Sequence, residues 1–259
     1  MVNIKSNQNP LVTVVTVCYN SATMIEKTLK SVTEQSYPNK QYVVIDGAST
    51  DGTQEVVERY INSIGHFVSE HDNGIYHAMN KAVKVAKGEW IIFMNAGDVF
   101  VDNDVLSKVS QRLSKENDIV YGDIFTSSNN ELHLKEAPEE ITRIHRMPFC
   151  HQAVFTRTSL LRMFPFDEKY KLSADFKLYK QLSLEETVFR RLPIPITIYD
   201  RTGLSNSQRA RGLAENIAII KEIDSWQDKL HLLPRLYFVK GWTTIRHFLK
   251  KKKIKLHKQ

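Results

Sequence analysis

A chain of 259 residues with 42% hydrophobic content is long enough to bury a full core, as one large domain or one domain with an appendage. Its formal charge of +7 is concentrated at one end: nine of the 36 Lys and Arg fall in residues 231–259, where there is no Asp or Glu, which leaves 27 basic against 29 acidic residues before them. That distribution argues against a nucleic-acid-binding surface spread over the body and for a local basic appendage that meets an anionic partner.

The N-terminal MVNIKSNQNP is polar and lacks the apolar core of a signal peptide. No run approaches the ~18 to 20 apolar residues of a membrane-spanning helix. Cys18 and Cys150 are too far apart in sequence to suggest a disulfide framework. The expectation is a cytoplasmic protein, attached to the inner face of the plasma membrane through its basic end.

Leu11 to Cys18, LVTVVTVC, is nearly all β-branched and apolar, as in a strand buried on both faces of a parallel sheet. A helix follows with Met24, Ile25, Leu29 and Val32 on its apolar face, ending before Pro38. Strands at Gln41 to Ile45, His66 to Ser69 and Trp90 to Met94 alternate with helices from about Thr53 to Ile61 and from Ile75 to Ala86. This βαβαβαβ order predicts a doubly wound, mostly parallel sheet of the Rossmann-like α/β class. Beyond Asp98 the alternation loosens: a helix from about Asn103 to Leu113, a strand at Ile119 to Tyr121, a hairpin around Ser127 to Asn130, and a strand at Gln152 to Thr156. Next come a helix at Ala174 to Leu182 and one or two strands over Phe189 to Tyr199, interrupted by Pro193 and Pro195. A last helix from about Ser207 to Ile223 leads into the tail. The chain divides into a polar lead (1–10), two halves of one domain (11–100 and 101–225) and a basic tail (226–259).

The loop after the first strand, Tyr19-Asn20-Ser21, contains no glycine. Dinucleotide-binding folds and P-loops need glycines there so that backbone can approach phosphates, so both are disfavoured. The most informative segment is YVVIDGASTDGT, residues 42–53, where a buried strand ends in Asp46 and a Gly/Ser/Asp loop carries Asp51 toward a helix. Open α/β sheets bind ligands at this carboxyl edge. Tyr19 would cover a nucleobase with its ring, and Asp46 would accept from a base N–H or ribose hydroxyl. Otherwise Asp46 forms an Asx turn and Asp51 caps the helix.

The pattern Asp-x-x-Ser-x-Asp-Gly-Thr resembles the signature of family 2 glycosyltransferases of the GT-A fold, and the likeness extends over roughly residues 10–205. It implies transfer of a sugar from a nucleotide diphosphate to a hydroxyl acceptor, with 11–100 as the nucleotide-sugar-binding half and 101–225 as the acceptor-binding half of the same domain. Tyr19 and Asn20 match the Tyr-Asn pair that commonly follows the first strand. WIIFMNAGD, residues 90–98, stands where the family places a metal-binding Asp-x-Asp; Asn95 and Gly97 replace its acids and leave Asp98 as the anionic ligand, with Mg²⁺ or Mn²⁺ as the implied cofactor. SEHDNGIYHAMNK, residues 69–81, is similar to the stretch that links nucleotide pocket and diphosphate, which adds Asp72, Asn73, Gly74 and Asn80 as donor contacts. Ser173-Ala174-Asp175-Phe176, about 77 residues after Asp98, resembles the acidic site of inverting members, with Asp175 as the base. Arg201, Gly203 and Ser205 resemble a loop that closes over the donor. His151 and Asp123 are candidates for the acceptor or diphosphate side.

In the tail, Leu232, Leu236, Val239, Trp242, Ile245, Phe248 and Leu249 recur at helical spacing among basic residues. This pattern suits an anionic membrane surface and a lipid-linked saccharide acceptor; the alternative is a helix packed on the body. The partners expected are a nucleotide-sugar donor and that acceptor, with no nucleic acid. Two other readings remain: a catalytically inactive sugar-nucleotide or partner-binding protein of the same fold, and a sugar nucleotidyltransferase, which the missing first-loop glycines disfavour.

Overall fold

The computed structural model describes residues 9–128, 131–142, 144–199 and 208–256, the last of these as backbone alone from residue 242 onward. In the first half, strands β1 (Val12–Cys18), β2 (Lys40–Asp46), β3 (His66–Ser69) and β4 (Trp90–Phe93) alternate with helices α1 (Ile25–Thr33), α2 (Thr53–Glu58) and α3 (Ile75–Val85). The second half contains β5 (Val99–Phe100), α4 (Val105–Ser110), β6 (Ile119–Ser128), β7 (Glu131–Lys135), β8 (Val154–Arg157), α5 (Thr158–Met163), α6 (Ala174–Leu182), β9 (Phe189–Tyr199), α7 (Arg209–Ile223) and α8 (Trp226–Leu256).

One sheet runs through both halves in the order β3-β2-β1-β4-β8-β6-β9-β5, with β7 paired to β6. The β3-β2-β1-β4 part is parallel. β8 then enters antiparallel between β4 and β6, while β9 lies parallel to β6. The sheet is therefore mixed beyond β4, and the start of β8 lies at the same edge as the carboxyl ends of β1, β2, β4 and β6.

Both faces of the sheet are covered, which is why its strands read as unbroken apolar runs rather than alternating ones. Val15, Val17, Val43, Ile45, Ile91 and Phe93 face one core with Met79, Ala82, Phe176 and Ile220 from α3, α6 and α7. Val12, Val14, Val44, Trp90 and Ile92 face the other, against Ile25, Leu29, Val56, Val105 and Val109 from α1, α2 and α4. Each fully buried aliphatic side chain contributes ~1.5–3 kcal/mol. Gly88, in the turn before β4, is fixed by contact: a Cβ there would stand 2.5 Å from the Thr13 amide nitrogen and 2.8 Å from the Leu11 carbonyl. The Pro193 and Pro195 positions do not split β9; the irregularity appears as register shifts against β6 between Gly122 and Ile124.

The tail departs from the expected single membrane-facing stripe. Leu232 and Leu236 are buried in the same core as Ile217, Ile219 and Ile220 of α7, so this part of the stripe belongs to the body. Among the described residues, no helix is long and apolar enough to cross a membrane.

Candidate functional site

The loops after β1 and β2 are sewn together by the polar residues of the 46–53 signature. The Asn20 amide donates to Ser49 Oγ at 2.8 Å, the Ser21 amide to Thr53 Oγ1 at 2.8 Å, the Ala22 amide to Asp51 Oδ2 at 3.0 Å, and the Thr50 amide to Asn20 Oδ1 at 3.0 Å. Asn20 and Ala48 adopt left-handed backbone, φ 46° and 62°. Asn tolerates that region, whereas Ala carries strain there. Asp51 also accepts from the Thr53 amide and hydroxyl at 3.1 and 2.5 Å, and these bonds hold its carboxyl below the usual carboxylate range, the Thr53 hydroxyl contributing most. Asp51 thus braces this loop at the entry to α2.

Asp46 is wholly buried. Oδ1 accepts from Ser49 Oγ and from Cys18 Sγ at 3.5 Å; Oδ2 accepts from the Ser49 amide at 2.9 Å and from Ser69 Oγ at 2.6 Å. Both oxygens are thus occupied by the chain, and Asp46, expected to meet base or ribose, here shapes the loop from beneath. Burial, with the negative field of Asp46 adding to it, pushes the Cys18 thiol far above its ordinary range, so Cys18 is an inert neutral neighbour.

Directly above lies an open face. The Tyr19 ring is 66% exposed. A Cβ on Gly47 would meet that ring at 3.3 Å and Asp72 Oδ2 at 3.4 Å, so Tyr19, Gly47 and Asp72 converge on one spot at the carboxyl edge. Asp72 Oδ1 is paired with Lys81 at 2.6 Å and lies 2.9 Å from His77 Nδ1, while its Oδ2 is buried and accepts no hydrogen bond. A buried carboxylate oxygen left unsatisfied is costly, and a ligand donor would relieve it. Asn73 and Gly74 form the exposed turn that opens α3, and the Asn73 carbonyl accepts from Lys171 Nζ at 2.9 Å.

Beyond β4 the chain turns at Asn95-Ala96-Gly97-Asp98, with Gly97 at φ 106°. Thr28 of α1 holds this turn: its Oγ1 donates to the Asp98 carbonyl at 2.7 Å and accepts from the Gly97 amide at 2.9 Å. Asp98 is 4% exposed, and Asn95 Oδ1 is buried without a hydrogen-bond partner. Among the described residues, no three His, Cys, Asp or Glu side chains group closely enough to hold a metal ion by themselves. The donor set at this turn is nonetheless all oxygen, one carboxylate and one unsatisfied amide oxygen. Such a set fits a hard divalent cation that takes its remaining ligands from phosphates and water.

Asp175 stands in the first turn of α6. Its Oδ1 accepts from the Tyr76 hydroxyl of α3 at 2.8 Å and from the Phe176 amide at 2.8 Å. Desolvation pushes the thiol of half-buried Cys150 up to about 12, with the negative fields of Asp98 and Asp175 adding to it. His151, 7% exposed and stacked on Phe93 at 5.2 Å between centroids, has both ring nitrogens unsatisfied. Desolvation lowers its pKa against the opposing pull of Asp175, so the imidazole is neutral.

Two further candidates are tied to the chain itself. Asn80, expected at the donor, clamps the segment before α6: Nδ2 donates to the Phe166 carbonyl and to Glu168 Oε1, both at 2.9 Å, and Oδ1 accepts from the Phe166 amide at 3.0 Å. Asp123 accepts from Arg191 at 3.1 Å and from the Ala137 amide at 2.8 Å, and is 4% exposed, so its carboxylate is committed to joining β6, β9 and the segment after β7. Arg201, Gly203 and Ser205 lie outside the described residues. Sequence reasoning missed Tyr76, Thr28 and Ser69. Ser69 had a signal, since in the β2–β3 register it stands beside Asp46.

The comparisons agree with this geometry. The model of the family described as "Glycosyl transferase family 2" matches residues 13–173. A PGL/p-HBAD biosynthesis glycosyltransferase of Mycobacterium tuberculosis is 28% identical over 206 residues, 76% of this chain and 80% of that protein. The Escherichia coli UDP-Glc:alpha-D-GlcNAc-diphosphoundecaprenol beta-1,3-glucosyltransferase WfgD is 31% identical over 134 residues, 51% of this chain and 53% of its own. Among solved structures, the Pyrobaculum calidifontis mannosyltransferase PcManGT, in complex with GDP-Man and Mn²⁺, superposes with TM-score 0.69 at 22% identity, covering 90% of this chain and 72% of that one. S. aureus TarS 1-349 with UDP-GlcNAc gives TM-score 0.66 at 19% identity, covering 83% of this chain and 67% of that one. These neighbours share the GT-A fold, and the chain is a glycosyltransferase that belongs to family 2.

Proposed function

We propose that the protein transfers a sugar, with inversion at the anomeric carbon, from a nucleoside diphosphate to a hydroxyl of a lipid-linked saccharide during polysaccharide assembly. The single observation that carries the mechanism is Asp175, set at the start of α6 by a 2.8 Å hydrogen bond from the Tyr76 hydroxyl of α3. The acceptor class is supported by the relatives, one of which is named for a diphosphoundecaprenol-linked substrate.

Tyr19 and the unsatisfied Asp72 Oδ2 hold the nucleoside on the face above Gly47, while Asp46, Asn20, Ser49 and Asp51 keep that face in shape. Asp98 and Asn95 Oδ1 would hold Mg²⁺ or Mn²⁺, which when bound neutralises charge on the departing diphosphate. Asp175 accepts the proton of the acceptor hydroxyl as that oxygen bonds to the anomeric carbon. The bond from carbon to phosphate oxygen breaks, and the nucleoside diphosphate leaves with the electron pair. A positioned base of this kind supplies ~10²- to 10⁴-fold. Neutral, buried His151 borders Asp175 on the acceptor side.

The test is release of free nucleoside diphosphate from UDP-, GDP- and dTDP-sugars in the presence of Mn²⁺ and a saccharide acceptor. Release from one donor class that disappears in Asp175→Asn supports the reading. Tight donor binding with no release under any condition would instead favour a binding protein built on the same fold.

A further inference from the structure

α8 is two-sided. Leu232 and Leu236 are buried against the body, as described above. On its other side, Trp226, Leu230, Leu233, Pro234 and Tyr237 line an open apolar groove. Their spacing, i, i+4, i+7, i+8 and i+11, is that of one helical stripe. Trp226 is 69% exposed, Leu230 67% and the neighbouring Phe238 74%. A contiguous patch of large apolar side chains at that exposure marks a contact surface rather than scattered surface residues.

Charge identifies the partner. From Lys229 to the end of the sequence there is no Asp or Glu, Arg235 and Lys240 accompany the exposed stripe, and Lys250 to Lys253 form a run near the far end of the helix. A second copy of the chain meeting this face would bring the same cations and, from α8, only Asp228 to meet them, whereas an anionic bilayer satisfies both the apolar stripe and the lysines.

We propose that this face of α8 lies in the interface of an anionic membrane, with Trp226, Leu230 and Phe238 entering the acyl boundary and the basic groups at the headgroups. The helix follows α7 directly. At that joint, Asp224 is bonded to Lys180 of α6 at 2.7 Å, on the same helix that carries Asp175. Docking of α8 therefore sets the attitude of the cleft toward the surface. For its purpose, though not for its test, the inference rests on the lipid-linked acceptor proposed above.

The experiment is flotation of the full chain with vesicles of phosphatidylcholine alone or phosphatidylcholine containing phosphatidylglycerol. The protein is expected to float with the anionic vesicles and to stay behind with the neutral ones. Combined Trp226→Ser, Leu230→Ser and Phe238→Ser should reduce flotation by at least about tenfold, with melting temperature and nucleoside diphosphate release from soluble substrates unchanged. Replacing Lys250 to Lys253 by Gln should weaken it by about tenfold or more. Phe238→Glu alone keeps the test decisive if the triple variant fails to fold. Equal flotation on both lipids, a triple variant that floats like the parent, or a parent that never floats would each overturn the proposal. So would a concentration-dependent dimer in sedimentation that the triple variant abolishes. If the protein floats but uses lipid-linked saccharides no better than soluble ones, the docking face stands and the acceptor reading fails.

Discussion

The Tyr76 hydroxyl donates a 2.8 Å hydrogen bond to Asp175 Oδ1 across 99 positions of sequence, from α3 in the first half of the chain to α6 in the second. Tyr76 is itself 7% exposed and stacks on Phe166 at 5.6 Å, so the donor is fixed by packing. Asp175→Asn should reduce transfer by ~10²- to 10⁴-fold while calorimetric affinity for the nucleotide stays near the parent value. Tyr76→Phe should lower kcat with little change in the donor KM, since it removes orientation of the base and leaves the face above Gly47 intact. A Tyr76→Phe enzyme with the parent kcat would remove this hydrogen bond from the mechanism.

At the turn after β4, Asp98→Ala removes the one carboxylate beside the unsatisfied Asn95 amide oxygen. Titration of nucleotide with and without Mn²⁺ should show a metal-dependent gain in affinity for the parent and none for the variant.

Asp46 predicts a different pattern. Its two oxygens accept from the Ser49 hydroxyl and amide, the Cys18 thiol and the Ser69 hydroxyl with no exposure to solvent. Asp46→Asn puts an amide group where only acceptors fit, leaving donors facing donors. Loss of about 2–4 kcal/mol in denaturant unfolding is expected, with nucleotide affinity falling in parallel. A variant of unchanged stability that loses nucleotide affinity would return Asp46 to direct contact.

The brace behind the base helix should be acid-sensitive. Hydrogen bonds from Lys177 and, secondarily, Tyr170 hold Glu222 of α7 at about 2, below the ordinary 4.5 of a glutamate. A carboxylate with a depressed folded-state pKa contributes stability that is complete above the unfolded value and is lost as pH falls through the folded one. Melting temperature should therefore fall progressively between about pH 4.5 and pH 2, and Glu222→Gln should flatten that part of the profile. His151, buried neutral, adds to the same trend from its ordinary 6.5 downward, because the unfolded chain binds a proton that the folded one resists.

What the sequence revealed tracks the range of the interactions involved. β1, β2 and β4 were legible because strands buried on both faces announce themselves as apolar, largely β-branched runs, and α6 was legible to the residue from its apolar spacing. β5, two residues long, and α5, one and a half turns, carry too few side chains to set a period. At the site, Asp98 stands after β4 and Asp175 in the first turn of α6, positions that the strand and helix patterns make visible. The partners that Asp46, Asn80 and Asp123 have within the chain were not legible, because Ser69, Phe166 and Arg191 lie 23, 86 and 68 positions away and leave no local trace.

The stitching of the two loops by Asn20, Ser49, Asp51 and Thr53 changes what a signature match means for proteins of this kind. Those letters record how a pocket wall is held upright, not which sugar enters it. A descendant that had abandoned chemistry would be under pressure to keep them simply to stay folded. Donor preference is therefore better sought in the exposed Tyr19 ring and the unsatisfied Asp72 Oδ2 beside it than in the residues that make the family recognisable.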